Sequence, residues 1–275
     1  MFMDLWRFLT APFPWYLAPM GYVRALTGLA ARGRRCHAAW QEHLDKSKAL
    51  VLAAAAQCPR KDRALILGSG LLHDVPLAEL AEQFREIVLV DILHLREARS
   101  RVRHYPNVRL LQLDVTGVAK AVYDLAGRGR PACLPENVPD LFLDDGFDLV
   151  ASVNLLSQLP VVPGEYAAPR IPKLAPGDVE RFSRRLVENH MHWLCAFPGV
   201  VCLITDLDRL ECDGWKVLRR KDCLWGVELP EGGRTWLWDI APRTVGGQTF
   251  DVRHRVIAFL DFPKEAWRKR LGNLG

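Results

Sequence analysis

The stretch that most constrains this chain is Arg63-Ala-Leu-Ile-Leu-Gly-Ser-Gly-Leu-Leu-His-Asp74. Four apolar residues, Ala64 to Leu67, run without interruption into Gly68-Ser-Gly70. An unbroken apolar run that ends in glycines reads as a buried parallel strand entering a tight turn. Glycine there allows backbone angles closed to other residues and lets the main chain approach a ligand. A second apolar run, Ile87 to Val90, ends in Asp91, at about the 20-residue distance where nucleotide-binding βαβ units carry a carboxylate for ribose hydroxyls.

Further strand and helix signals alternate as far as residue 206. Val108 to Asp114 is a third strand ending in a carboxylate, and Phe147 to Asn154 is a fourth. Val200 to Asp206 is a fifth, behind a long amphipathic segment from Asp178 to Phe197 that stops at Pro198-Gly199. Pro76 is placed to open a helix after the glycine turn, with Asp74 as its expected cap. Residues 93–103 and 117–126 are further helix candidates. The runs Thr235–Ile240 and Arg253–Leu260 read as a closing antiparallel pair, and Lys264–Leu271 as a short basic tail. This alternation predicts an α/β fold: a doubly wound, mostly parallel sheet with helices on both faces and an antiparallel C-terminal hairpin.

Ahead of this lies a helical N-terminal extension, residues 1–59, leaving 60–275 as the Rossmann-like domain. Helices are expected at Asp4–Thr10, Ala18–Ala31 and 36–57, the last with Trp40, Leu44, Ser47, Val51 and Ala54 on one face. Two proline-rich stretches, 127–146 and 160–177, read as irregular connections. The second follows the carboxyl end of a strand, where open α/β sheets place their ligands.

Composition narrows the class. Half of the 275 residues are hydrophobic, enough for a large core, and the net charge of +5 is too small to argue for nucleic acid. Seven cysteines lie without CxxC pairs, as in reduced cytoplasmic proteins. No apolar run reaches the ~18 residues of a membrane span. The aromatic N-terminus, with arginines 32, 34 and 35 behind it, suits a packed cap, a lid or a peripheral membrane contact through residues 1–35.

Neither nucleotide signature is complete. His73 stands where a dinucleotide fingerprint has its third glycine, and no GxxxxGK[ST] sequence occurs. Instead Leu65 to Gly70, Asp91, Leu113-Asp-Val-Thr116 and Phe147 to Asn154 resemble the successive motifs of class I S-adenosylmethionine-dependent methyltransferases. Leu72 stands where many members carry the last glycine of a GxGxG turn. The resemblance implies a seven-stranded sheet with S-adenosylmethionine as cofactor. Gly68, Ser69 and Gly70 would pass beneath its methionine part and Asp91 would accept from the ribose. Asp114 and Val115 would meet the adenine, while Asn154 and Leu155 would line the methyl-transfer side. His73, with Asn154, is the candidate for catalysis, and Tyr166 and Arg170 are candidates for acceptor contact.

The acceptor expected is a small or lipid-like molecule. Asn154-Leu-Leu is not the Asn/Asp-Pro-Pro-Tyr signature of amino-directed nucleic-acid methylases, and no metal-ligand cluster stands out. Two other readings stay open at this level: a non-catalytic scaffold on the same fold, and an NAD(P)-dependent oxidoreductase. Oligomeric state is not legible.

Overall fold

The structure, a computed structural model, describes residues 13–128, 133–135, 140–246 and 249–272. The expected helix at Asp4–Thr10 lies outside these. Two helices open the described chain, α1 (Leu17–Met20) and α2 (Tyr22–Arg35), separated by Gly21 at φ 104°. They replace the single helix expected over Ala18–Ala31. Then come α3 (His37–Gln57), β1 (Arg63–Leu67), α4 (Leu77–Gln83), β2 (Glu86–Asp91), α5 (Arg96–Val102), β3 (Val108–Gln112), α6 (Ala119–Arg128) and β4 (Leu149–Val153). A 3₁₀ turn (Leu156–Gln158) leads to α7 (Val161–Ala167) and α8 (Asp178–Ala196). The chain closes with β5 (Val200–Asp213), β6 (Lys216–Asp222), β7 (Arg234–Ala241), α9 (Arg243–Gly246), β8 (Asp251–Phe259) and α10 (Lys264–Gly272).

The strands form one sheet in the order β3-β2-β1-β4-β5-β8-β7. The pairs β1–β2, β2–β3, β1–β4 and β4–β5 are parallel, and β5–β8 and β7–β8 are antiparallel. This is the doubly wound sheet with an antiparallel end that the sequence predicts. It has eight strands, not seven: β5 runs on to Asp213, well past the expected Asp206, and its outer half pairs with β6. Every residue of β6 is exposed, so it has no apolar face and left no hydrophobic pattern to read.

Strand residues alternate between the two faces, as period 2 requires. Ala64 and Ile66 of β1 join Ile87, Leu89, Leu149 and Ala151 in a core covered by α3, α4 and α5. Leu65 and Leu67 join Val88, Val90, Val150 and Val201 in a second core under α8. Trp40, Val51 and Ala54 of α3 belong to the first of these cores, so this helix is part of the sheet's own covering layer. Leu17, Met20 and Val23 pack with Val118, Val122, Phe182 and Leu186 against the ends of α6 and α8.

Three other expectations are corrected. The stretch 160–177 is not irregular throughout, because it contains α7. Pro163 is tolerated there because it lies in the first turn, where a missing N–H costs no helical bond. The C-terminal basic tail is a helix, α10, with Trp267 buried against Phe262. Asp74 does not cap α4, whose cap position is Pro76 and carries no side-chain cap; the Asp74 carboxylate accepts from Asn154. All seven cysteines are unbridged. Among the described residues, no helix is long and apolar enough to cross a membrane.

Candidate active site

The turn after β1 is built by its glycines. Gly68 has φ 79°, and a Cβ there would lie 2.6 Å from the Val153 carbonyl oxygen and 2.8 Å from Leu155 Cβ. Only glycine lets this turn sit so close to the end of β4. Gly70 has φ 39°, and its N–H donates to Asp91 Oδ2 at 2.8 Å. Leu72 adopts φ 59° with its side chain fully buried. The position where the resembled family often has a third glycine therefore keeps a glycine-like backbone, while a leucine fills the core beneath it.

A cavity of about 910 Å³ opens over the carboxyl ends of β1, β2 and β4, where doubly wound sheets place ligands. Gly68, Gly70, His73, Asp91, Asp114, Val115, Asn154 and Leu155 all line it. The fold thus gathers eight of the eleven predicted site residues. Burial pushes the Asp91 carboxyl up to about 6, against the opposing pull of the N–H groups of Gly70, Leu93 and Ile92. Asp114 holds its own loop, with Oδ1 accepting from the Thr116 N–H (3.0 Å) and hydroxyl (2.6 Å) and Oδ2 from Ala119 N–H (2.8 Å) at the start of α6.

Ser69, Tyr166 and Arg170 are not brought to the cavity. Ser69 is buried behind the turn and its hydroxyl pairs with His94 Nε2 at 3.0 Å. Burial lowers His94 to about 4, so it is a neutral structural partner. Tyr166 stacks on Tyr123 with ring centroids 5.8 Å apart, and the Arg170 guanidinium lies over the Tyr166 ring at 4.2 Å. On α8, His190 is likewise structural, bonded to the Ser152 hydroxyl at 3.0 Å and lowered by burial to about 3.

The far half of the cavity holds residues that no motif marked. Trp40 and His43 come from α3, Trp238 from β7, Asp206 from β5 and His254 from β8. The His43 ring stacks on Trp238 at 3.9 Å, with only 6° between the planes. Trp236 donates its indole N–H to His43 Nδ1 at 3.2 Å. An indole can only donate, so Nδ1 accepts and the proton of the neutral ring sits on Nε2. That nitrogen lies 3.2 Å from Asn154 Nδ2, a second donor, so the two meet without a hydrogen bond in this tautomer; Asn154 Nδ2 donates to Asp74 Oδ2 at 2.7 Å. Asn154 itself sits at φ 50°, a left-handed angle that asparagine tolerates better than most residues. Burial lowers His43 to about 4 and raises the buried Asp74 carboxyl.

This wall continues to His254, whose Nδ1 lies 2.9 Å from Asp206 Oδ2 but too poorly aligned for a hydrogen bond. Asn154 Oδ1, Asp206 Oδ1 and Trp238 Nε1 are buried without a hydrogen-bond partner among the described residues. Such atoms are uncommon in folded proteins and are normally met by water or ligand. His43 could have been suspected from its helix, since it shares a face with Trp40 and Ser47. Trp238, Asp206 and His254 had no local signal, because antiparallel pairing of distant strands brings them together.

No protein-family profile matches the sequence, and no curated protein resembles it significantly. Solved structures resemble it weakly. The YcgJ protein of Bacillus subtilis is 16% identical at a TM-score of 0.34, with 59% of this chain and 51% of that chain covered, about half its length. The N-methyltransferase NodS of Bradyrhizobium japonicum, in complex with S-adenosyl-L-homocysteine, is 10% identical at a TM-score of 0.35, covering 80% and 86%. A Burkholderia thailandensis 1,6-didemethyltoxoflavin-N1-methyltransferase is 14% identical at 0.35, covering 90% and 92%. Likeness at this level says nothing by itself about cofactor or substrate. The sheet order, the antiparallel end and the glycine turn make the architecture a Rossmann-like, doubly wound one.

Proposed function

We propose that this chain is an S-adenosylmethionine-dependent methyltransferase for a small or lipid-like acceptor. The observation that carries this reading is one continuous cavity. It starts at a glycine turn tied to a strand-end carboxylate and ends at a polar aromatic wall. The residues fit the cofactor in their chemistry, since the side-chain-free backbone of Gly68 and Gly70 lines the same cavity as the Asp91 carboxylate. Asp91 would accept from the ribose hydroxyls, Asp114 and Val115 would flank the adenine, and Leu155 would pack at the methyl-transfer side.

When bound, S-adenosylmethionine supplies an electrophilic methyl group. The chain contributes mainly proximity and alignment, as displacement at a methyl group requires. Asn154, anchored by Asp74 and beside His43, would orient the acceptor. Burial first, and then the charges of Arg101, Lys48 and His37, lower His73 below the ordinary histidine value, which favours its neutral form. A neutral imidazole at the cavity wall can take a proton from an acceptor that must lose one.

Calorimetric titration of the full chain with S-adenosylmethionine and with S-adenosylhomocysteine tests the reading. Saturable binding that Asp91→Ala abolishes is the expected result. No heat of binding from the folded wild type would overturn it.

A further inference from the structure

We infer that the β5–β6 hairpin is a docking element for an anionic lipid surface. Its tip, Gly214-Trp-Lys-Val-Leu-Arg-Arg-Lys221, holds four cations, three apolar residues and no acid. Trp215 is 88% exposed, Leu218 55% and Val217 50%. The turn is tight, since Asp213 pairs with Lys216 across it and Gly214 takes φ 59°. A two-residue hairpin turn with glycine at its first central position fixes where the next side chain points. Trp215 is thus held at the tip, with the Arg253 guanidinium 5.1 Å from its ring. Of the two acids that flank this segment, Asp213 is occupied by Arg243 at 2.7 Å and Asp222 accepts from the N–H groups of Leu224 and Gly226.

The pairing carries a second signal. Arg209 of β5 stands directly opposite Lys221 of β6, and Arg219 lies two residues further along the same strand face. Like charges placed opposite each other cost stability, and Glu211, which stands opposite Arg219 and pairs with Arg209, offsets only part of this charge, leaving three cations against one acid on the face. All three line the cavity described above, so the cationic face of the hairpin is also part of the cavity rim. Glu211 pairs with Arg209 at 2.5 Å, and Arg220 is held on the other face by Asp208 at 2.6 Å.

This combination fits a lipid surface better than another macromolecule. Tryptophan favours the membrane interface, and each cation near an anionic leaflet adds to attraction. A hairpin tip of eight residues is too small for a standard protein interface of ~800 Å² per partner. Nucleic acid would be met by several stacking aromatics rather than by valine and leucine. Docking in this way turns the rim of the cavity toward the headgroups. The inference stands on the hairpin alone and does not require methyl transfer.

Sedimentation with vesicles of phosphatidylcholine alone, and of equal parts phosphatidylcholine and phosphatidylglycerol, tests it. Wild type should pellet with the anionic vesicles and stay in solution with the neutral ones. Trp215→Ser with Leu218→Ser should weaken binding to anionic vesicles about tenfold, and Lys216→Glu by a similar factor. All three residues are exposed, so circular dichroism should show an unchanged fold. Equal partition onto both vesicle types, no partition, or variants that bind like wild type would overturn the inference. So would self-association through the tip, seen by sedimentation velocity, in a protein that ignores vesicles.

Discussion

The Gly70 N–H donates to Asp91 Oδ2 at 2.8 Å, which ties the turn after β1 to the end of β2. This bond holds the carboxylate at the cavity while the turn keeps its shape. It also leaves a charged group in a poorly solvated place, and burial raises Asp91 to about 6.

The sign of that shift gives a prediction. A carboxyl whose folded pKa lies above its unfolded one holds more protons when folded, so its contribution to stability falls as pH rises from about 4 to about 6. Asp91→Asn keeps an oxygen for the Gly70 N–H and removes the buried charge. Its melting temperature at neutral pH should exceed that of wild type, while its affinity for S-adenosylhomocysteine drops roughly 10- to 100-fold, as for lost hydrogen bonds to a charged group. Thermal scans and calorimetry on the same samples check both. In wild type, affinity should climb as pH passes upward through about 6.

Gly68→Ala should destabilise by at least ~2 kcal/mol, because a left-handed angle and a backbone clash act together. Gly28 lies in the middle of α2 without a positive φ, and a methyl added there would meet nothing within 4 Å. Gly28→Ala should therefore be neutral or stabilise by ~0.5–1 kcal/mol. Urea unfolding of the two variants separates conformational strain at the turn from a general effect of adding a methyl.

Leu72 poses two opposing effects. Its left-handed backbone costs roughly 1–2 kcal/mol relative to glycine. Its fully buried side chain is worth more, since truncating a core leucine to alanine costs about 2–5 kcal/mol. Leu72→Gly should therefore lower stability despite relieving the backbone, and the urea midpoint will show the sign.

Three buried histidines predict acid lability. Burial lowers His43 and His94 to about 4 and His190 to about 3. Each binds a proton more readily unfolded than folded, so its contribution to stability is present above about 6.5 and is lost as pH falls toward 4. Asp91 acts in the opposite direction over part of this window, and three histidines should outweigh it. The urea midpoint should fall from pH 6.5 to pH 4.5, with a shallower slope in His190→Gln, which removes one titrating group outside the cavity.

Much of the sheet was legible because the parallel strands β1, β2 and β4 are buried on both faces. Ala64–Leu67 and Ile87–Val90 are continuous apolar runs for that reason, and Leu149–Val153 is broken only by Ser152, whose buried hydroxyl pairs with His190. The exposed β6 has no such pattern, and α7 was hidden by prolines that its first turn tolerates. Asp74 looked like a cap because local spacing suggested one. Its actual partner, Asn154, is 80 residues away along the chain.

The sequence by itself determined the half of the cavity nearest the glycine turn. Gly68, Gly70, Asp91 and Asp114 sit at strand ends, so the order of strands is enough to bring them to one edge. Only the tertiary structure decided the other half. His43 meets Trp236 across 193 residues and Asn154 across 111, through the packing of α3 on the antiparallel strands. Side chains that converge from separate elements carry no mutual spacing in the sequence. Their partnership exists only once burial of the apolar faces has fixed how those elements pack.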